Sequence, residues 1–149
     1  MNGQTLTALL EQLAATNIDQ ALSLLEDAGL LQAETATALT RTALERAEAA
    51  PQAAVHWLAV AKAVNARTEQ SRLVEAQIAY AQARLHLLAG DAARAEADIR
   101  RAQALWQRVG ATEPLARSYL GLTQVLAMQG RYQEAETAIQ RAIVGLPVG

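Results

Sequence analysis

Gly90-Asp91-Ala92-Ala93-Arg94-Ala95-Glu96-Ala97-Asp98-Ile99-Arg100-Arg101-Ala102 returns forty residues later as Gly130-Arg131-Tyr132-Gln133-Glu134-Ala135-Glu136-Thr137-Ala138-Ile139-Gln140-Arg141-Ala142. Ala95, Ile99 and Ala102 reappear as Ala135, Ile139 and Ala142, a small, large, small series on one face of a helix. The stretches before the two glycines repeat as well. Val74, Ile78, Ala81 and Leu85 have counterparts at Leu115, Tyr119, Leu122 and Leu126, offset by forty-one, and the 4-3-4 spacing makes each a continuous apolar seam. One extra residue between Leu85 and Gly90 accounts for the difference in offset. Weaker echoes lie at Ala54, Leu58 and Ala61 and at Ala21, Leu25 and Ala28, so four helical hairpins are expected, two of them clearly marked. Small residues at these positions have a physical reason: antiparallel helices cross closely only where one offers Ala to the ridge of the other.

Composition agrees. Of 149 residues, 35 are Ala and 22 are Leu, both strong helix formers, and there is no Phe and little β-branched material from which to build a sheet. Punctuation by glycine, proline and capping residues predicts eight helices, at 4–15, 18–28, 30–49, 52–65, 68–89, 91–109, 113–129 and 131–145. Gly29, Gly90, Gly110 and Gly130 follow helical stretches, where a left-handed residue closes the last turn. Asn17, Asp91 and Thr112 are placed to cap the helices after them, Pro51 and Pro114 lie in first turns, and Pro147 follows the last helix. Turns this short make consecutive helices antiparallel neighbours.

Thirteen basic and fifteen acidic residues give a net charge of -2, which supplies no footprint for a polyanion, so nucleic acid is not the expected partner. The chain has no cysteine, which removes disulfides and thiolate metal sites. No secretory signal is visible at Met1-Asn2-Gly3-Gln4, and the longest uncharged runs, 49–61 and 118–130, are too short and too polar to span a bilayer. A cytoplasmic protein with no membrane partner is the expectation.

Tyr119-x2-Leu122-Thr123-x2-Leu126, then Ala135-x3-Ile139 and Pro147, resembles the tetratricopeptide repeat pattern W-x2-L-G-x2-Y, A-x3-F, P. Gly130-Arg131-Tyr132-Gln133-Glu134-Ala135 resembles that family's turn between helices. The last repeat departs with Thr123 at the small Gly position and Leu126 at the Tyr position. The preceding one departs further, with Gln82 at the small position and Ala92 where Tyr132 stands. A spacing of forty, against thirty-four, is similar to longer-helix variants of the family. The resemblance implies an all-α, right-handed solenoid of antiparallel hairpins in a single domain, 1–149, with repeats at 68–109 and 113–147 and degenerate or capping hairpins at 1–65.

Residues that could carry chemistry are sparse. His56 and His86 lie thirty residues apart in different helices, with no metal-binding spacing, no phosphate loop and no cofactor motif. Glu11, Glu26, Glu34, Glu45 and Glu48 read as a solvated surface. Arg94, Arg100, Arg101 and Arg108 form the densest basic cluster, interleaved with Glu96 and Asp98, and read as a mixed-charge outer face. Trp57 and Trp106 are either interface anchors or packing residues within and between hairpins. No catalysis is expected.

The resemblance implies instead a concave groove lined by the first helix of each hairpin, taking a peptide or helix of a protein partner. Its lining would be Ala79, Tyr80, Ala83, His86 and Leu87 from one repeat and Arg117, Leu120, Gln124 and Met128 from the next, small and apolar with a single fixed cation. The same residues could instead pack against a helix of the N-terminal half. The alternative function is a self-associating structural or regulatory module. The last helix, Tyr132 to Gly145, precedes only Leu146-Pro147-Val148-Gly149, too little for a capping helix, so apolar residues at that end, Ile143 and Leu146, would join copies into a homo-oligomer.

Overall fold

The computed structural model describes residues 5–146, which form eight α-helices and, among those residues, no strand. They are α1 (Leu6–Ala15), α2 (Ile18–Asp27), α3 (Ala33–Glu45), α4 (Pro51–Arg67), α5 (Arg72–Leu88), α6 (Ala92–Val109), α7 (Thr112–Met128) and α8 (Tyr132–Gly145). Gln4 as the first helical residue and Pro147 as a terminator lie outside the described residues.

Three hairpins, α3/α4, α5/α6 and α7/α8, stack in chain order through the α4/α5 and α6/α7 joints into a solenoid of antiparallel hairpins. The first two helices depart from that plan. α1 and α2 touch each other little and both rest on α4, where the Trp57 indole N–H donates to the Leu10 carbonyl at 2.9 Å. The large apolar side chains gather at this end. Leu13, Leu25, Leu39, Leu58 and Val64 are fully buried in one cluster, each contributing roughly 1.5–3 kcal/mol by leaving water. Around α5–α8 the core is built of Ala, with Ala76, Ala79, Ala83, Ala95, Ala102, Ala135 and Ala138 between fewer bulky residues. Helix proximity replaces side-chain bulk there.

The turns show how the sequence sets the stack. Gly90 and Gly130, at φ 80° and 75°, close α5 and α7 identically, as the repeat requires. The α4–α5 turn works without glycine. Gln70 adopts φ 52°, and the Asn65 side chain accepts from the Ser71 N–H at 3.1 Å and donates to the Ser71 carbonyl at 3.0 Å, so α5 begins at Arg72 rather than 68. α3 stops at Glu45, because Ala50 must leave the helical region to admit Pro51 as the first residue of α4. Asn17 and Asp91 cap as expected, but Thr112 lies inside α7, whose N-cap is Ala111 and has no side-chain cap.

Candidate functional site

α7 carries an exposed face that runs along its length. Arg117, Leu120, Gln124 and Met128 fall within one helical stripe, and all four are exposed, Leu120 at 45% and Met128 at 51%. Arg117 is held by Glu113 one turn earlier at 2.8 Å, so the cation of this stripe carries its own counter-ion. That pair is exposed and contributes little to stability, about 0–1 kcal/mol. Its effect is to fix the guanidinium against the wall of α7.

α5 contributes unevenly. Tyr80 and Arg117 converge on one cavity of about 420 Å³, completed by Trp106, Glu113, Pro114 and Ser118. The Tyr80 and Trp106 rings stand 5.6 Å apart at 56°, an arrangement favoured by their quadrupoles. Burial pushes the Tyr80 phenol above its ordinary value of 10.0, partly offset by the Gly121 backbone and the charges of Arg84 and Arg117. The Trp106 indole nitrogen is buried without a hydrogen-bond partner among the described residues.

Two of the other α5 positions, Ala79 and Ala83, are corrected by the fold. Ala83 is only 2% exposed and belongs to the core with Ile99, Leu122 and Leu126, so it lines no groove; Ala79, also at 2%, is covered beside Trp106. The cause is packing: Ala83 sits with Ile99 of α6 and Leu122, Val125 and Leu126 of α7, and Ala79 with Ala102 and Trp106 of α6. Leu87 is half-buried against the same core. His86 reaches α6 instead, 2.5 Å from the Asp98 carboxylate, which Arg101 approaches at 3.4 Å while donating to Gln82 at 2.9 Å. This polar cluster ties α5 to α6.

Three of the four arginines of the α6 cluster are paired locally. Arg94 pairs with Asp91, Arg100 with Glu96 and Arg101 with Asp98, which leaves a mixed-charge surface. Glu96 is the hub of the next joint. Its carboxylate accepts from Gln129 at 3.0 Å, from Arg131 at 2.7 Å and from Arg100 at 2.9 Å. Burial raises its pKa, but these hydrogen bonds outweigh burial and hold the group below its ordinary 4.5. A second cleft, about 260 Å³, lies beyond, where Arg141 rests 5.6 Å over the Tyr119 ring and donates to its hydroxyl at 3.2 Å.

Two further residues shape the surroundings of Tyr80 and α7 without having stood out in the sequence. A Cβ at Gly121 would lie 2.5 Å from the Tyr80 hydroxyl, so the phenol occupies space that only glycine leaves open. Ser118 accepts from the buried Gln103 amide at 3.0 Å and donates to the Leu115 carbonyl at 2.5 Å, which seats α7 on α6. The repeat offset held the signal for Gly121, since 80 plus forty-one is 121, a large residue facing a small one in the neighbouring repeat. At the far end Ile143 is 67% exposed and Val144 86%, while Leu146 is half-buried.

Among the described residues no helix is long and apolar enough to cross a membrane. Comparison with known protein families matches residues 74–143 to the tetratricopeptide repeat. No curated protein and no solved structure matches the chain.

Proposed function

We propose, from a segment 74–143 that belongs to the tetratricopeptide repeat family, that this chain is a non-catalytic adaptor holding a peptide or helix of a partner protein along α7. Repeats of this family are in general protein–protein interaction modules and typically scaffolds rather than enzymes. The observation that carries the reading is the exposed stripe Arg117, Leu120, Gln124 and Met128, which runs from the Tyr80–Trp106 cavity along the length of α7. The cavity takes an apolar anchor side chain, Arg117 and Gln124 supply polar contacts, and Met128 adapts to irregular apolar surface.

Affinity capture from the source cell, comparing wild type with an Arg117→Glu, Leu120→Glu double variant, tests the reading. Both positions are exposed, so the fold measured by circular dichroism is expected to persist while a partner bound by wild type is lost. Equal capture by both proteins would remove function from this face.

A further inference from the structure

The two repeats differ in one polar contact, and the difference leaves a cation beside a cleft. On α6 the Arg101 guanidinium has two acceptors, the Asp98 carboxylate at 3.4 Å and the Gln82 amide oxygen of α5 at 2.9 Å. Arg141 stands forty residues on, at the same position of α8. There the counterpart of Asp98 is Ala138. The counterpart of Gln82, forty-one residues on, is Thr123, whose hydroxyl donates to the Tyr119 carbonyl of its own helix at 2.7 Å. Arg141 is thus left without a carboxylate partner among the described residues, and its guanidinium rests over the Tyr119 ring and donates to the phenol oxygen. Because that oxygen accepts, the phenol proton is still available to donate.

Ala138 and Arg141 line the 260 Å³ cleft together with Tyr119, Leu122 and Leu126. Leu122, Leu126 and Ala138 are buried and make its floor apolar. The other charges of the lining cancel, since Arg100 pairs with Glu96 and Glu134 with Arg131. One uncompensated positive charge, a phenol donor and an apolar floor therefore meet at the position where the preceding repeat carries a carboxylate of its own.

We propose that this cleft binds a small monocarboxylate with a short apolar chain. Its carboxylate takes the place toward Arg141 that Asp98 holds toward Arg101, and its chain lies on Leu122, Leu126 and Ala138. A single negative charge balances the site, whereas a phosphate dianion would bring a second charge with no cation to meet it. The C-terminal carboxylate of a peptide is the poorer occupant, because its last amide would lie over side chains that offer no hydrogen bond. The site is separate from the exposed stripe of α7: Tyr119, Leu122 and Leu126 fall on the opposite side of that helix from Arg117, Leu120, Gln124 and Met128.

The test titrates the full chain with hexanoate and follows the leucine methyl signals by NMR. The expected result is saturable shifts at Leu122 and Leu126, with hexanol and inorganic phosphate each binding about tenfold more weakly or less. Arg141→Gln, at an exposed position, weakens hexanoate binding about tenfold or more with an unchanged circular dichroism spectrum. Ala138→Asp recreates the Asp98–Arg101 pair one repeat on and abolishes binding by filling the site from within. The proposal is overturned by the absence of saturable shifts at Leu122 and Leu126, by equal binding of hexanol, by full hexanoate affinity in Arg141→Gln, or by tighter binding of inorganic phosphate or of a peptide ending in a free leucine carboxylate.

Discussion

Tyr80 and Gly121 show how one residue sets another's chemistry across a joint. An alanine in mid-helix ordinarily gains about 1 kcal/mol over glycine, yet Gly121→Ala would place its Cβ 2.5 Å from the Tyr80 hydroxyl, whose ring is packed against Trp106. Chemical denaturation should show Gly121→Ala destabilised by about 1–2 kcal/mol and most of that loss recovered in the Tyr80→Phe background. A stabilised single variant would mean that the phenol swings away freely. Glu96 makes a pH-dependent contribution of known sign. Its folded pKa lies below the unfolded value, so its stabilisation is complete above about pH 4.5 and is lost as pH falls through the folded value. Urea denaturation of wild type and Glu96→Gln should therefore show a stability gap at pH 6 that narrows at pH 3; a gap of constant size would contradict the joint described for Glu96, Gln129 and Arg131. Neither residue stands out in the sequence. A glycine inside a helix reads as a flaw until its neighbour is known, and Glu96 gains its partners from residues thirty-three and thirty-five positions away.

At the scale of elements, the α5/α6 and α7/α8 hairpins are legible because their glycines, their Ala-Ile-Ala faces and their 4-3-4 seams repeat at a fixed offset. Close approach is the consequence, with Ala95 fully buried and Ala135 6% exposed. Ala95→Leu and Ala135→Leu should each lower stability by about 1–3 kcal/mol through overpacking, and an unchanged urea midpoint for both would refute the helix pairing. The start of α5 is not legible, since a side chain, Asn65, builds the turn that glycine builds elsewhere. Ala83 is misread for a related reason. Helical periodicity tells which residues share a face, but whether that face meets solvent depends on the hairpin stacked above it.

Across the whole molecule, bulky and small core residues separate. The leucine-rich core lies under α1–α4, where α1 and α2 brace α4 instead of forming a hairpin of their own, and the repeats of α5–α8 pack around an alanine-rich core. The weak echo in α2 concealed this, because an Ala-Leu-Ala face can pack on α4 as readily as on α1. Of the expected groove, the α7 half is an exposed stripe and the α5 half contributes Tyr80 to a cavity, while His86 and Ala83 serve the packing between helices. The most direct measurement is site-specific photo-crosslinking in the source cell, with the reactive residue placed at Leu120 of α7 or, for comparison, at the exposed Ala97 of α6. The account predicts a discrete covalent adduct with one partner from position 120 and none from 97. Adducts of equal yield at both positions, or from 97 alone, would contradict it.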